Sequence, residues 1–465
     1  MFFRTTTPLP GGEGTFKINT WLSASTVRPV GISKDRTLLY GAGSTGNATL
    51  QQSSDEGVTW NTVKVLANTI MFLLELDDGE ALAFVNTSGK GSVYRSTGWT
   101  TSHTTATWAL VLTSAGGYFN GFGLNAASFG DENLVVGTGQ YGVIAAYGAQ
   151  TSNAGDQTTK GRYVYFTSDY GATWGQVFDL YSWTGNAIGM HVHGASYDPY
   201  WDRLWVTWGD TQKNSKTDVV YSDDHGATWV QVPAASVWAA SGSSSTNALQ
   251  CTTVLPRPEC ILFGSDPAQG MWMIRRTGYR TMSKPTIVFM NATGSGSTTI
   301  AMNTSSLRGF KGAPVIHTWS SEKNLMQPGI AASWDDGFSW HNLWMYPFAT
   351  PSSAVGTAYG PTAKGTVILG CYDSGAVYYI ITGELIKPEE GITLLRLNAT
   401  GDGVTTAFNV PHYQGRTPAS TSAHAQSSAA LATNTVTSNA TNTTITFSVA
   451  PANLAIVQMT IRIRP

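Results

Sequence analysis

Apolar and polar residues of this chain alternate in runs of only five to eight residues. Clear cases are RTLLYGAG (36–43), ALAFVNTS (81–88), RLWVTWGD (203–210), PTIVFMNA (285–292) and TVILGCYD (366–373). Each run is rich in β-branched and aromatic residues and is bounded by Gly, Pro, Asn or Asp, so each predicts a β-strand. Spacing of the helical kind is almost absent. Many short strands at even intervals call for a search for internal repeats.

The repeat is Ser-x-Asp-x-Gly-x-(Thr/Ser)-Trp. It reads SSDEGVTW at 53–60, TSDYGATW at 167–174, SDDHGATW at 222–229 and SWDDGFSW at 333–340. The aspartates Asp55, Asp169, Asp224 and Asp335 are separated by 114, 55 and 111 residues, close to two, one and two units of one length. Altered copies fill the gaps at STGWTTSHTTATW (96–108) and RRTGYRTM (275–282), and a weaker seventh is CYDSGAVYY (371–379). The fourth unit shows the internal order: MHVHGASYD, RLWVTWGD, TDVVYSDDHG, ATWVQV. Four antiparallel strands per unit predict a β-propeller, with seven blades favoured and six as the alternative. The last unit supplies three strands, and TFKINTWLS (15–23) is expected to add the fourth and close the ring.

The physical chemistry of the repeat is architectural. A glycine takes φ > 0 at no steric cost in the turn. The aspartate accepts backbone N–H bonds of that turn, and the tryptophan buries its ring between sheets. Carboxylates spread around a ring cannot share one reacting atom. The expected fasteners are Ser53, Asp55, Gly57 and Trp60; Ser168, Asp169, Gly171 and Trp174; Ser222, Asp224, Gly226 and Trp229; and Ser333, Asp335, Gly337 and Trp340. The motif resembles the Asp-box, or bacterial neuraminidase repeat, of sialidase-like β-propellers. That resemblance covers about residues 1–385 and implies boxes on the outer rim, away from any active site.

After Lys387 the pattern changes, so the expected organisation is an N-terminal arm (1–14), a propeller (15–387) and a small β-sandwich (388–465). FNVPH (408–412), Thr417-Pro418 and TTITF followed by AP (443–451) are similar to a β-sandwich module that closes tail and other virion proteins of bacteriophages. The resemblance implies a virion protein of the tail tip or a tail fibre, made in the host cytoplasm. Its partners would be other virion subunits and a host-surface glycan or receptor, and the sandwich would attach or trimerise it.

Composition narrows the classes further. Charged residues are 12 % of the chain, about half the usual ~25 %. Net charge is −2 with no Lys/Arg block, which leaves a nucleic-acid role without a footprint. No apolar run reaches the ~18 residues of a membrane helix, so no membrane insertion is expected. MFFRTTTPLPGG lacks the apolar core of a secretory signal. Cys251, Cys260 and Cys371 are expected as reduced, packed thiols, with Cys251 and Cys260 meeting across a hairpin as the alternative.

Catalytic residues do not announce themselves. Sialidases resemble one another in an arginine triad, a Tyr/Glu pair and an Asp acid/base. Arginines near strands here (Arg28, Arg95, Arg162, Arg203, Arg257, Arg275, Arg276, Arg308) have no spacing that shows convergence. Glu75 and Glu80, in ELDDGE, read as a solvated turn, and no carboxylate pair of retaining-glycosidase spacing stands out. A glycoside hydrolase acting on host glycans is therefore the alternative reading, and a pure virion scaffold the third. No cofactor is expected. A divalent metal is considered at His191 and His193, which would share a strand face, with Asp210 and His317 as further ligands; the other reading is that they fill a polar channel. Tyr197, Tyr200, Trp201, Trp205 and Trp208 are the candidate glycan platforms, and the inserted loops 146–160 and 239–248 candidate surfaces.

Overall fold

In a computed structural model of the chain nearly every described element is a strand. The structure describes residues 15–43, 48–66, 68–87, 90–117, 119, 127–129, 140–146, 161–184, 191–209, 219–232, 251–265, 271–283, 286–289, 302–308, 314–321, 329–345, 354–372, 378–386, 393–400, 407–411, 420–425, 433–438, 442–447 and 456–464. The proposed N-terminal arm, Asp210, and the two inserted loops beyond Ala146 lie outside them.

The chain divides into two compact units. One is Phe16–Ala331 with Trp344–Leu385; the other is Ile386–Pro465 with Met1–Thr15 and Ala332–Leu343. In the first unit β1 (Thr15–Ser25) is followed by a series of antiparallel meanders. The first meander is β2 (Val27–Ile32), β3 (Leu39–Gly43), β4 (Thr49–Ser53) and β5 (Asn61–Val65). The second is β6 (Thr69–Glu75), β7 (Ala81–Thr87), β8 (Lys90–Thr97) and β9 (Thr107–Thr113). The third is β10 (Ala127–Phe129), β11 (Gly142–Ala145), β12 (Tyr163–Thr167) and β13 (Gly175–Asp179), followed by the short helix α1 (Leu180–Thr184). The fourth is β14 (His191–Asp198), β15 (Arg203–Gly209), β16 (Val219–Ser222) and β17 (Val230–Gln231).

The fifth holds β18 (Cys251–Pro256), β19 (Cys260–Ser265), β20 (Met271–Gly278) and β21 (Thr281–Met282), with β22 (Thr286–Phe289) also paired to β20. Then come β23 (Met302–Arg308), β24 (Val315–Ser321), β25 (Gly329–Ser333) and β26 (His341–Met345), and finally β27 (Ala354–Tyr359), β28 (Thr366–Tyr372) and β29 (Tyr378–Ile386). The outer partner of β29 is β1, as the strand count required. Thr20 and Thr382 hydroxyls meet at 2.6 Å across that pair.

First strands of successive meanders lie side by side: β2 by β6, β10 by β14, β14 by β18, β18 by β23, β23 by β27, and β27 by β2 again. First strands innermost, later strands of each meander outward and a last sheet completed by an N-terminal strand are the construction of a β-propeller. Its core lies between sheets. Tyr40, Leu50, Ile70, Leu73 and Trp99 fill the gap between the first and second. Phe72, Phe84, Ile144 and Tyr165 fill the next, and Val164, Phe178, Val206 and Trp208 the one after. All three cysteines are buried and none forms a disulfide, and burial pushes the Cys371 thiol up, so it packs as an inert apolar group.

In the second unit β30 (Thr393–Thr400), β35 (Ile456–Arg464) and β32 (Ser420–Ala425) form one sheet. A second sheet holds β31 (Ala407–Pro411), β34 (Asn442–Phe447) and β33 (Thr433–Ser438). Low complexity at 417–444 did not prevent strand formation: in β33 Thr433, Thr435 and Thr437 recur at the period of a pleated sheet.

Candidate functional site

The repeats come first, because their aspartates are the most conspicuous carboxylates. Ser53 Oγ donates to Asp55 Oδ1 at 2.7 Å and accepts the N–H of Gly57 at 2.8 Å. Asp55 Oδ1 also accepts the Thr59 N–H at 2.8 Å, and Oδ2 the Thr59 hydroxyl at 2.6 Å. The same bonds recur at Asp224 with Ser222 and Thr228, and at Asp335 with Ser333 and Ser339. Thr228 hydrogen bonds hold the Asp224 carboxyl down to about 2. At Asp55 burial opposes the shift, yet bonds from Thr59 and Ser53 also bring it to about 2. Burial pushes the Asp335 carboxyl up instead, despite the same partners.

One expected fastener is corrected. The hydroxyl that holds Asp169 belongs to Thr167, at 2.8 Å, while Ser168 is exposed. The functional position is two residues before the aspartate, and there the second copy substitutes threonine for serine.

Each turn has positive φ at both central residues, such as Glu56 (60°) and Gly57 (93°), and an i to i+3 hydrogen bond from Val58 N–H to the Asp55 carbonyl. That is the I′ pattern of a hairpin turn. Three of the tryptophans pack onto the preceding sheet: Trp60 on the cluster of Tyr359, Ile368 and Ile380, and Trp174 on that of Phe72, Leu82 and Phe84. Trp229 packs beside Phe178 and donates to the Val177 carbonyl at 2.9 Å. These aspartates are therefore fasteners.

The altered copy at 96–108 keeps a carboxylate by borrowing one. Glu80, from the β6–β7 turn, accepts the Ser96 hydroxyl at 2.8 Å and the N–H groups of Gly98 and Trp99 at 2.9 and 3.2 Å. Glu75 accepts the Trp99 indole N–H at 2.9 Å, the Lys34 N–H at 2.7 Å and the Tyr40 hydroxyl. The solvated turn read from ELDDGE is thus a hydrogen-bond hub, and neither glutamate is free to act as an acid or nucleophile.

The histidine candidates separate. His191 and His193 lie at the start of the innermost strand β14, with ring centroids 4.7 Å apart. The register shifts between Val192 and Gly194, so His193 sits at a bulge, and its Nδ1 lies 3.3 Å from the Cys251 carbonyl oxygen. Both are buried. His317 is on β24, fully buried, and burial depresses its imidazole to about 3. Among the described residues no three His, Cys, Asp or Glu side chains gather as a metal-holding set.

The aromatic candidates are also redistributed. Tyr197, Trp201, Trp205 and Trp208 are 5 %, 3 %, 0 % and 3 % exposed, and form the core between sheets. A buried ring cannot serve as a sugar platform, so these four are packing residues; Tyr200 alone of the five is half-buried. What surrounds them is a charged seam between the fourth and fifth sheets. Arg203 donates to Asp223 through Nε (2.6 Å) and Nη2 (3.0 Å), while its guanidinium lies 3.9 Å from the Tyr221 ring centre and 4.6 Å from that of Trp201. Arg276, from the fifth sheet, meets the fully buried Asp198 at 2.8 Å. Burial raises the Asp198 carboxyl even against that arginine. Arg203 and Arg276 are thus committed to carboxylates of the protein itself, which removes them from any triad that would clamp a substrate carboxylate. Arg95 is likewise taken, by Asp78 and by the Tyr170 carbonyl at 3.0 Å.

No protein-family model matches this sequence, and no curated protein matches it. Among solved structures, the extracellular domain of BT4673 from B. thetaiotaomicron is similar with a TM-score of 0.47 and 9 % identity, over 86 % of this chain and 41 % of that one. The Dos1 propeller is similar with a TM-score of 0.43 and 11 % identity, over 78 % of this chain and 81 % of that one. TolB from Acinetobacter baumannii follows with a TM-score of 0.31 and 10 % identity, over 80 % of this chain and 66 % of that one. This chain spans about two fifths of the BT4673 domain and just under two thirds of TolB. By its own strand order it is a β-propeller joined in sequence to a small two-sheet β unit.

Proposed function

We propose that this chain is a bacteriophage virion protein of the tail tip or a tail fibre, in which a seven-bladed Asp-box propeller recognises a host-surface glycan. The C-terminal β unit attaches it to other virion subunits or trimerises it. The observation that carries the reading is the joining of box-fastened sheets to a β unit whose two virion-like motifs are strand partners. Phe408–Pro411 of the first motif and TTITF lie on β31 and β34, with Phe408 opposite Ile445 and Val410 opposite Thr443, although the two motifs begin 35 residues apart in sequence. The box aspartates and the two glutamates of ELDDGE are already held by donors of their own turns and seams, which favours recognition over turnover.

Immunogold labelling of intact particles with antibody against the purified chain tests this reading. Gold at the tail end is the expected result. Particles without label, or steady release of reducing sugar from host polysaccharide by the purified chain, would overturn it.

A further inference from the structure

We propose that the seam between the fourth and fifth sheets carries a saccharide-binding site on the end of the propeller where the boxes lie, centred on Tyr279, Arg280, Asp202 and Asp223. This rests on the glycan-recognition reading above and deepens it by naming the site and the class of sugar.

In a four-stranded meander the turn between strands one and two and the turn between strands three and four emerge at the same end of the sheet. The β14–β15 turn therefore sits beside the box that joins β16 to β17, and the β20–β21 turn reaches the same end of the fifth sheet. Tyr279 is the tip of that last turn and is 74 % exposed, the most open of the large apolar residues described. Arg280, at φ 57°, places its guanidinium 5.3 Å from the Tyr279 ring centre and returns to the fourth sheet. Its Nε donates to the Trp201 carbonyl at 3.1 Å and lies 3.6 Å from Asp223 Oδ1.

On the fourth sheet Asp202 accepts the Tyr197 hydroxyl at 2.9 Å and lies 2.7 Å from His225 Nε2, both through Oδ1. Its side chain is half exposed. These two bonds outweigh burial and hold the Asp202 carboxyl below its ordinary range. Asp223 is fixed from beneath by the two bonds of buried Arg203, with a third of its side chain open.

An exposed aromatic ring flanked by pre-oriented carboxylates and a guanidinium is what a sugar requires. The ring stacks on the apolar face of a pyranose, carboxylate oxygens accept from hydroxyls, and guanidinium N–H groups donate to ring or hydroxyl oxygens. Side chains already held by a second layer lose little freedom on binding. The sign of the surface selects within the class. Its open side chains are Asp202, Asp223 and Arg280, and buried Arg203 pairs with Asp223 as Arg276 does with Asp198, so each of these arginines already faces a carboxylate and none is spare for an acidic sugar. The geometry points to a neutral saccharide with adjacent hydroxyls, and disfavours sialylated or uronate-bearing sugars.

The test uses the full chain against immobilised neutral oligosaccharides and matched sialylated and uronate-bearing ones. Variants are Tyr279→Ala and Asp202→Asn, with Leu110→Ala, at an exposed position on β9, as control. Thermal melts run alongside. The expected result is binding to a neutral sugar, at least about tenfold weaker in Tyr279→Ala and Asp202→Asn with unchanged melting, and intact in Leu110→Ala. Wild-type-like binding by Tyr279→Ala and Asp202→Asn would overturn this site and leave glycan recognition standing. Preference for the acidic sugars would overturn the neutral assignment. If the unaltered chain binds none of the sugars, the site and the glycan reading fall together.

Discussion

Glu80 accepts the Ser96 hydroxyl at 2.8 Å, so the turn between β6 and β7 fastens the connection between β8 and β9. Where the repeat has lost its own aspartate, a carboxylate from the neighbouring turn of the same sheet occupies the same role. The need for a carboxylate at that end of the sheet outlasts the motif that usually supplies it.

Glu80→Ala is expected to cost on the order of 1–3 kcal/mol, because it leaves the Gly98 and Trp99 N–H groups without their acceptor. Chemical denaturation measures this directly. A cost indistinguishable from zero would show that water replaces the carboxylate.

Stability should fall at acid pH through the boxes. Asp55 and Asp224 have carboxyls near 2 in the folded chain against an ordinary 3.8. The folded state therefore binds fewer protons than the unfolded one between those values. The stabilisation is fully present above about pH 4 and is lost as pH falls toward about 2. The double variant Asp55→Asn, Asp224→Asn should melt lower at neutral pH and show a flatter melting curve between pH 4 and 2. An unchanged acid slope would place the titration elsewhere.

Two glycines separate backbone strain from crowding. Gly226 has φ +95°, and a Cβ there would lie 2.5 Å from Val177 Cβ on the preceding sheet. Gly98 has φ +82° with nothing within 4 Å of that position. Gly98→Ala is expected to cost about 1–2 kcal/mol from the left-handed backbone alone. Gly226→Ala should cost roughly 2–5 kcal/mol, since overpacking adds to that. Equal costs would mean that the box does not press against its neighbour.

Deleting 15–25 removes the strand that pairs with β29 and leaves a long sheet edge bare. The expected outcome is a lower melting temperature and self-association by light scattering. Restoring the segment as a synthetic peptide should recover part of the loss. A monomeric deletion variant with unchanged melting would remove β1 from the closure of the sheet.

The parts of this architecture that were legible in sequence are the periodic ones. Strand alternation, the spacing of Asp55, Asp169, Asp224 and Asp335, and the missing strand of the last sheet all follow from local pattern and count. Residues paired across sheets carry no such signal. Nothing near Glu80 says that Ser96, sixteen residues on, is its partner, and nothing near Asp198 announces Arg276. The aromatic candidates failed for a related reason: Trp205 and Trp208 alternate as surface or core residues alike, and only the facing sheet decides. A second turn carries a related signal. Ser33-x-Asp35-x-Thr37 repeats the start of the box in the β2–β3 turn, and Asp35 there accepts from Ser33 at 2.6 Å and from the Thr37 N–H at 3.0 Å.

The proposed function is recognition of a glycan on the host surface by the propeller. Its most direct test is binding of the fluorescently labelled chain to host cells before and after mild periodate oxidation, which cleaves adjacent hydroxyls of sugars. Saturable binding that is lost after periodate and survives protease treatment of the cells is the predicted result. Absence of binding, or binding that resists periodate and disappears with protease, would contradict it.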